Sequence, residues 1–163
     1  MAVMNLWKML LAAFAAVFLP ACDGFNIDQL KPGITTAAEV RERMGAPGME
    51  WKNDDGGVTW EYSRQPNGSV CYMLSIGADG ILRGVDQVLR EDNLARVVPG
   101  LDHDQVRRLL GKPRSTINFS LKNEQVWDWK IGTTPSRADV YFNVHFDPAG
   151  RVVSTSRSEQ TLN

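Results

Sequence analysis

The sequence predicts an α+β fold made of two tandem ααβββ units, each with two helices packed on a three-stranded antiparallel sheet. Three observations lead there. The stretches Leu30–Pro47 and Val97–Pro113 follow one plan: a Pro-Gly break, a capped amphipathic helix, then Gly-x-Pro. Each is followed by segments of period-two hydrophobicity. An aromatic-acid-aromatic step, Trp60-Glu61-Tyr62 and Trp127-Asp128-Trp129, recurs at the same place in both. A plan that recurs at this length marks a duplicated architecture. The units divide as residues 22–90 and 91–163, after a targeting segment over 1–21.

In the first unit, Asn26-Ile27-Asp28-Gln29 opens a short helix that runs to Lys31, where Pro32-Gly33 breaks it. Thr36-Ala37-Ala38-Glu39 reads as a capping box, in which hydroxyl and carboxylate each satisfy the other residue's backbone N–H. Val40 and Met44 share one face, Gly45 suits the C-terminal position, and Pro47 stops continuation. A polar loop through Asn53-Asp54-Asp55-Gly56-Gly57 follows. Val58, Trp60 and Tyr62 then alternate with polar residues as one strand, Val70 to Ile76 form the next, and Ile81 to Val88 a third, with turns at Pro66-Asn67-Gly68 and Ala78-Asp79-Gly80.

The second unit keeps the order. Asp92 to Val97 supplies the short helix, and Asp102 caps the next with Gln105 three residues on. Val106, Leu109 and Leu110 make its apolar stripe, and Gly111 and Pro113 close it. Strands are expected over 126–131, 138–146 and 151–156, with a turn at Asp147-Pro148-Ala149-Gly150.

The N-terminus is a targeting sequence. One lysine, Lys8, precedes the apolar run Met9 to Phe18, which is too short to span a bilayer permanently. Leu19-Pro20-Ala21-Cys22 follows and resembles the lipobox of bacterial lipoproteins. That resemblance implies cleavage before Cys22 and a lipid-modified, palmitate-bearing Cys22; an ordinary secretory signal with a chance cysteine is the alternative. Asp23 resembles the inner-membrane retention signal of enteric lipoproteins. With Cys22 lipidated, Cys71 has no partner in the chain, and its strand neighbours Val70, Tyr72 and Leu74 favour a buried apolar role over pairing between molecules.

Of the 163 residues, 43% are hydrophobic and 23% charged, with a net charge of −1, the profile of an ordinary globular chain. Its basic residues interleave with acids, as in Arg41-Glu42-Arg43, so no stripe for nucleic acid is formed.

Two sets of residues carry a family resemblance. They are Gly33, Thr36, Val40, Gly45, Pro47, Trp60, Tyr62, Gly80 and Leu82, and again Gly100, Asp102, Val106, Gly111, Pro113, Trp127, Trp129, Gly150 and Val152. In this order they resemble the SmpA/OmlA domain of BamE-type lipoproteins, small outer-membrane lipoproteins of the machinery that folds β-barrels into the membrane. The resemblance covers nearly all of the mature chain and implies two helices on a three-stranded sheet. It also implies an outer-membrane, periplasm-facing location, against which Asp23 keeps the inner membrane open. The doubling of the domain and the short spacer Asp23-Gly24-Phe25 after the anchor depart from the single-copy members. Arg64 approaches an arginine that follows the family's W-x-Y strand.

The expected function is that of a non-enzymatic, membrane-anchored lipoprotein, a scaffold or accessory factor of outer-membrane β-barrel assembly or envelope integrity. Its partner would be an envelope protein such as the barrel-assembly machinery. The alternative is an inhibitor-like module that binds a soluble envelope protein. Trp60, Tyr62, Arg64, Trp127 and Trp129 are the candidate partner surface, although aromatic residues in strands first of all pack sheets. Glu61 and Asp128 are expected to face solvent and His103 to be exposed in the first turn of its helix. His103 and His145 have no metal-ligand spacing, and no catalytic, phosphate-loop or dinucleotide motif is present, so neither a metal nor a cofactor is expected.

Overall fold

The computed structural model describes residues 26–161, so the targeting segment and Cys22 lie outside the described residues. The described chain is mostly β, which corrects the expectation of two ααβββ units: two four-stranded antiparallel sheets are joined by short helical elements. The first sheet runs β1 (Met49–Lys52), β2 (Val58–Ser63), β3 (Cys71–Ile76), β4 (Leu82–Gln87). The second runs β5 (Ser115–Phe119), β6 (Glu124–Thr133), β7 (Ala138–Phe146), β8 (Val152–Thr161). The helices are α1 (Ala37–Met44), α2 (Glu91–Leu94) and α3 (His103–Leu110), while the expected helix at Asn26 is a single 3-10 turn, Ile27–Gln29.

Each sheet gains its extra strand directly after the Gly-x-Pro stop. The proline holds the residue before it in extended backbone, and the chain continues extended. Met49-Glu50-Trp51-Lys52 then pairs with β2 (Glu50 opposite Trp60), and Ser115–Phe119 with β6 (Thr116 opposite Trp127). Both stretches alternate polar and apolar residues, but at four and five residues each sits beside a loop-like sequence that obscures the period.

The helices α1 and α3, eight residues each, are too short to be stable alone, so their ends are fixed by side chains. Both capping boxes form. Thr36 Oγ1 accepts from Glu39 N at 3.3 Å and Glu39 Oε2 from Thr36 N at 2.8 Å; Asp102 Oδ1 accepts from Gln105 N at 2.8 Å and Gln105 Oε1 from Asp102 N at 2.9 Å. The repeat extends to long-range bonds. Gly33 N donates to Leu82 O at 2.7 Å and Gly100 N to Val152 O at 2.8 Å, each tying a Pro-Gly break to the last strand of its own sheet. Tyr62 Oη donates to Gly45 O at 3.0 Å and Trp129 Nε1 to Gly111 O at 3.2 Å, so the second aromatic of each step holds the helix stop of its own half.

The two halves share a core. Leu30, Val40, Trp60, Tyr62, Leu74, Ile76 and Leu82 pack between α1 and one face of the first sheet. The opposite face sends Cys71 and Met73 into a second cluster with Val106 and Leu110 of α3 and with Trp129, Phe142, Val144 and Phe146 of the second sheet. Helix α3 is therefore a layer between two sheets. Its contact with the first sheet is partly polar: Arg107 reaches Glu61 with two N–O distances of 3.4 Å, and Arg108 lies over the Trp51 ring at 4.6 Å. Glu61, expected in solvent, is thus a buried carboxylate between the halves. On β6 past the start of β5, the Gln65 side chain bonds both backbone groups of Lys130, donating to its O at 2.8 Å and accepting from its N at 3.2 Å.

The two helix stops differ in their surroundings. Gly45 (φ 79°, ψ −166°) and Gly111 (φ 75°, ψ −166°) occupy a backbone region open essentially to glycine alone. A Cβ on Gly45 would meet nothing within 4 Å, whereas one on Gly111 would lie 2.3 Å from Cys71 Sγ. Gly45→Ala should cost about 1–3 kcal/mol of backbone strain. Gly111→Ala adds an overpacking penalty of about 1–3 kcal/mol. Urea unfolding of the two variants measures the difference, and equal losses would refute the wedge of Gly111 against the first sheet.

Candidate binding surface

Alternation in a strand sends neighbouring side chains to opposite faces, and in the second sheet one face is spent on the shared core. The other face is built by Ile117 and Phe119 of β5, Val126, Asp128 and Lys130 of β6, Asp139, Tyr141, Asn143 and His145 of β7, and Ser156 and Ser158 of β8. Neither core cluster includes a residue of this face; Val126, Asp128, Asp139 and Tyr141 are nonetheless buried on it, and a shallow depression of about 430 Å³ lies there.

Its centre is a set of charges whose partners are all local. Asp128, also expected in solvent, is buried: Arg114 Nε donates to its Oδ1 at 2.5 Å and the Ser115 hydroxyl to its Oδ2. The hydrogen bond to Asp128 raises the Arg114 pKa, and the same guanidinium stacks 4.3 Å above the Tyr141 ring. Asp139 receives Lys130 Nζ at 2.8 Å, Thr133 Oγ1 at 3.0 Å and Tyr141 Oη at 3.4 Å, and the Lys130 contact leads in holding its carboxyl below the usual range. His145 joins Glu124 (Nδ1 to Oε1, 2.5 Å) and Ser156 (Nε2 to Oγ, 2.8 Å). Buried charges that are paired and hydrogen-bonded give a rigid polar floor. The rim at the β5–β6 hairpin is apolar: Ile117 and Phe119 are 45% and 44% exposed, and Leu121 is fully exposed.

The sequence candidates lie elsewhere. Trp60, Tyr62 and Trp129 are buried in the two clusters, with the Arg41 guanidinium 4.3 Å over the Trp60 ring. Trp127 is half-buried on the core side of the second sheet, stacked on His103 with centroids 4.6 Å apart and tilted against Phe146 at 5.1 Å. His103, expected exposed, is half-buried in that aromatic group because Trp127 and Phe146 reach the first turn of α3. Arg64 is half-buried before the Pro66 turn. Arg114 and the hairpin residues Ile117, Phe119 and Leu121 of the outer face were missed. The available signal was the row Tyr141-Asn143-His145 interleaved with Phe142-Val144-Phe146, a strand with two different faces.

Among the described residues, no group of three His, Cys, Asp or Glu side chains is placed to hold a metal ion, and no helix is long and apolar enough to cross a membrane. No family model matches the chain. No curated protein matches it. Among solved structures, a DUF4309 family protein (YjgB) from Bacillus subtilis is similar at 12% identity and a TM-score of 0.32, over 81% of this chain and 83% of that one. A likeness at that level carries no argument about fold or function.

Cys71 is fully enclosed, and burial, with Glu61 adding to it, pushes its thiol up to about 12 from a reference value of 9.0. In the unfolded chain the thiol ionises from about pH 9, while in the folded chain it stays protonated to about 12. Its contribution is therefore complete below pH 9 and falls by about 1.4 kcal/mol per pH unit above it. A Cys22→Ser protein, which leaves Cys71 as the single thiol, should resist a thiol reagent at pH 8 until it is unfolded. Cys71→Ala should flatten the alkaline limb of its stability curve. Rapid labelling of the native protein would contradict the burial.

Proposed function

We propose that the protein is a lipid-tethered, non-catalytic binding protein of the cell envelope, an accessory factor in outer-membrane β-barrel assembly or envelope integrity. The lipobox ending at Cys22 supports the tether, and the twice-repeated residues that resemble the SmpA/OmlA domain support the setting. The observation that carries the reading is the outer face of the second sheet, which lies outside both core clusters and has a paired-charge floor and the exposed apolar rim Ile117, Phe119 and Leu121. A face of this kind suits recognition of another protein: the rim supplies apolar area, on the order of 3–5 kcal/mol if fully covered. The floor supplies fixed hydrogen-bond geometry. An inhibitor-like module for a soluble envelope protein is the second reading, favoured by the concavity of the same face.

A photoreactive phenylalanine analogue in place of Phe119, in the full-length protein in cells, tests the proposal. The expected result is a cross-link to a component of the barrel-assembly machinery in the membrane fraction, lost in Cys22→Ser. A cross-link to a soluble protein that persists in Cys22→Ser supports the second reading instead. Cross-links from the exposed Ile34 beside α1 and none from position 119 would overturn the choice of face.

A further inference from the structure

Strand β8 is the exposed edge of the second sheet. It is ten residues long and pairs with β7 alone, and every residue from Val153 to Thr161 is exposed. Proteins blunt such an edge with a short strand, a bulge, a proline or an outward lysine, because its unpaired N–H and C=O groups form a template for another strand. The edges β1 and β5 are short, at four and five residues. Residues 153–161 contain no proline and no lysine, and the single irregularity in the β7–β8 ladder lies at its start, opposite His145 and Phe146.

From this edge and its charge pattern we infer that β8 pairs antiparallel with β8 of a second copy of the chain, with Ser158 on the two-fold axis. In a symmetric antiparallel pair, residues directly opposite share a face, so the axis must pass through a residue. Centring on Arg157 would put two arginines opposite each other, and centring on Glu159 two glutamates. Centring on Ser158 puts Arg157 opposite Glu159 twice, Ser156 opposite Gln160, and Thr155 opposite Thr161. It is the register in which each charge meets its opposite. The side chains are already set for it. Arg157 is held extended by Nη2 on Glu91 Oε2 at 2.5 Å, which leaves other guanidinium N–H groups for a carboxylate. Asn143 Nδ2 holds Ser158 Oγ at 3.1 Å and Ser156 Oγ at 3.3 Å on the opposite face. Glu159 has no cationic partner among the described residues. The result would be one continuous eight-stranded sheet with two copies of the outer face side by side.

Paired Ser158 residues would sit about 4.5–5.5 Å apart at Cα, within disulfide range. The full-length Ser158→Cys protein in mild detergent should form a covalent dimer under mild oxidation. Ser154→Cys and the unsubstituted protein, which controls for Cys22, should form little. Adding Glu159→Arg to Ser158→Cys places arginines opposite each other and should lower the dimer yield about tenfold. Far-UV circular dichroism of that variant checks that its fold is intact. No excess of dimer in Ser158→Cys over Ser154→Cys, or an undiminished yield with Glu159→Arg in a folded protein, would overturn the inference.

Discussion

An eight-residue helix between two sheets must satisfy both, and α3 has one apolar stripe with which to do it. Val106 and Leu110 put that stripe into the core cluster that the second sheet shares with Cys71 and Met73 of the first. The rest of the contact with the first sheet is made by arginine stems and heads, Arg107 on Glu61 and Arg108 on Trp51, together with the close approach of Gly111 to Cys71. Long cationic side chains can cover apolar surface while their heads pair, which suits the second side of a helix that cannot be apolar all round. The cap at Asp102 and the bond from Trp129 to Gly111 O fix both ends of the helix, so the first sheet docks against a surface the second half has already set.

The duplication is therefore unequal in use. Both halves have the same capping box, the same Pro-Gly tie to a last strand, and the same aromatic bond to the helix stop. In the first half these devices hold α1 over one face of its sheet, and α3 takes the other face. The second sheet has α3 on one face and no core cluster on the other. That face follows from an array of helix, sheet, helix and sheet among the described residues, in which the second sheet comes last. Its carboxylates are tolerated beneath the surface because Arg114 and Lys130 lie over them on the same face.

The sequence displayed the local devices more fully than the layers. Thr36-Ala37-Ala38-Glu39, Asp102 with Gln105, and the glycines at 45 and 111 were legible because each works through its own neighbours. The strands at Met49 and Ser115 were obscured by brevity. Glu61 and Asp128 were misplaced because alternation within a strand says only that they oppose their aromatic neighbours. It does not say that α3 covers one of those opposite faces, or that Arg114 folds over the other. For the same reason the aromatic step could be read as a surface: Trp60, Tyr62 and Trp129 face helices whose positions are set by the tertiary fold. The outer face of the second sheet became visible only once that arrangement placed Tyr141, Asn143 and His145 side by side with the β5 rim.

If α3 belongs to both sheets, the two halves unfold together. Native-state hydrogen exchange of the Leu74 amide in β3 and the Val144 amide in β7 compares their opening free energies. The shared layer predicts equal values at both positions, each matching the global stability from denaturant unfolding. Exchange of Leu74 through a lower-energy opening while Val144 stays protected would show a first sheet that opens alone, and would contradict it.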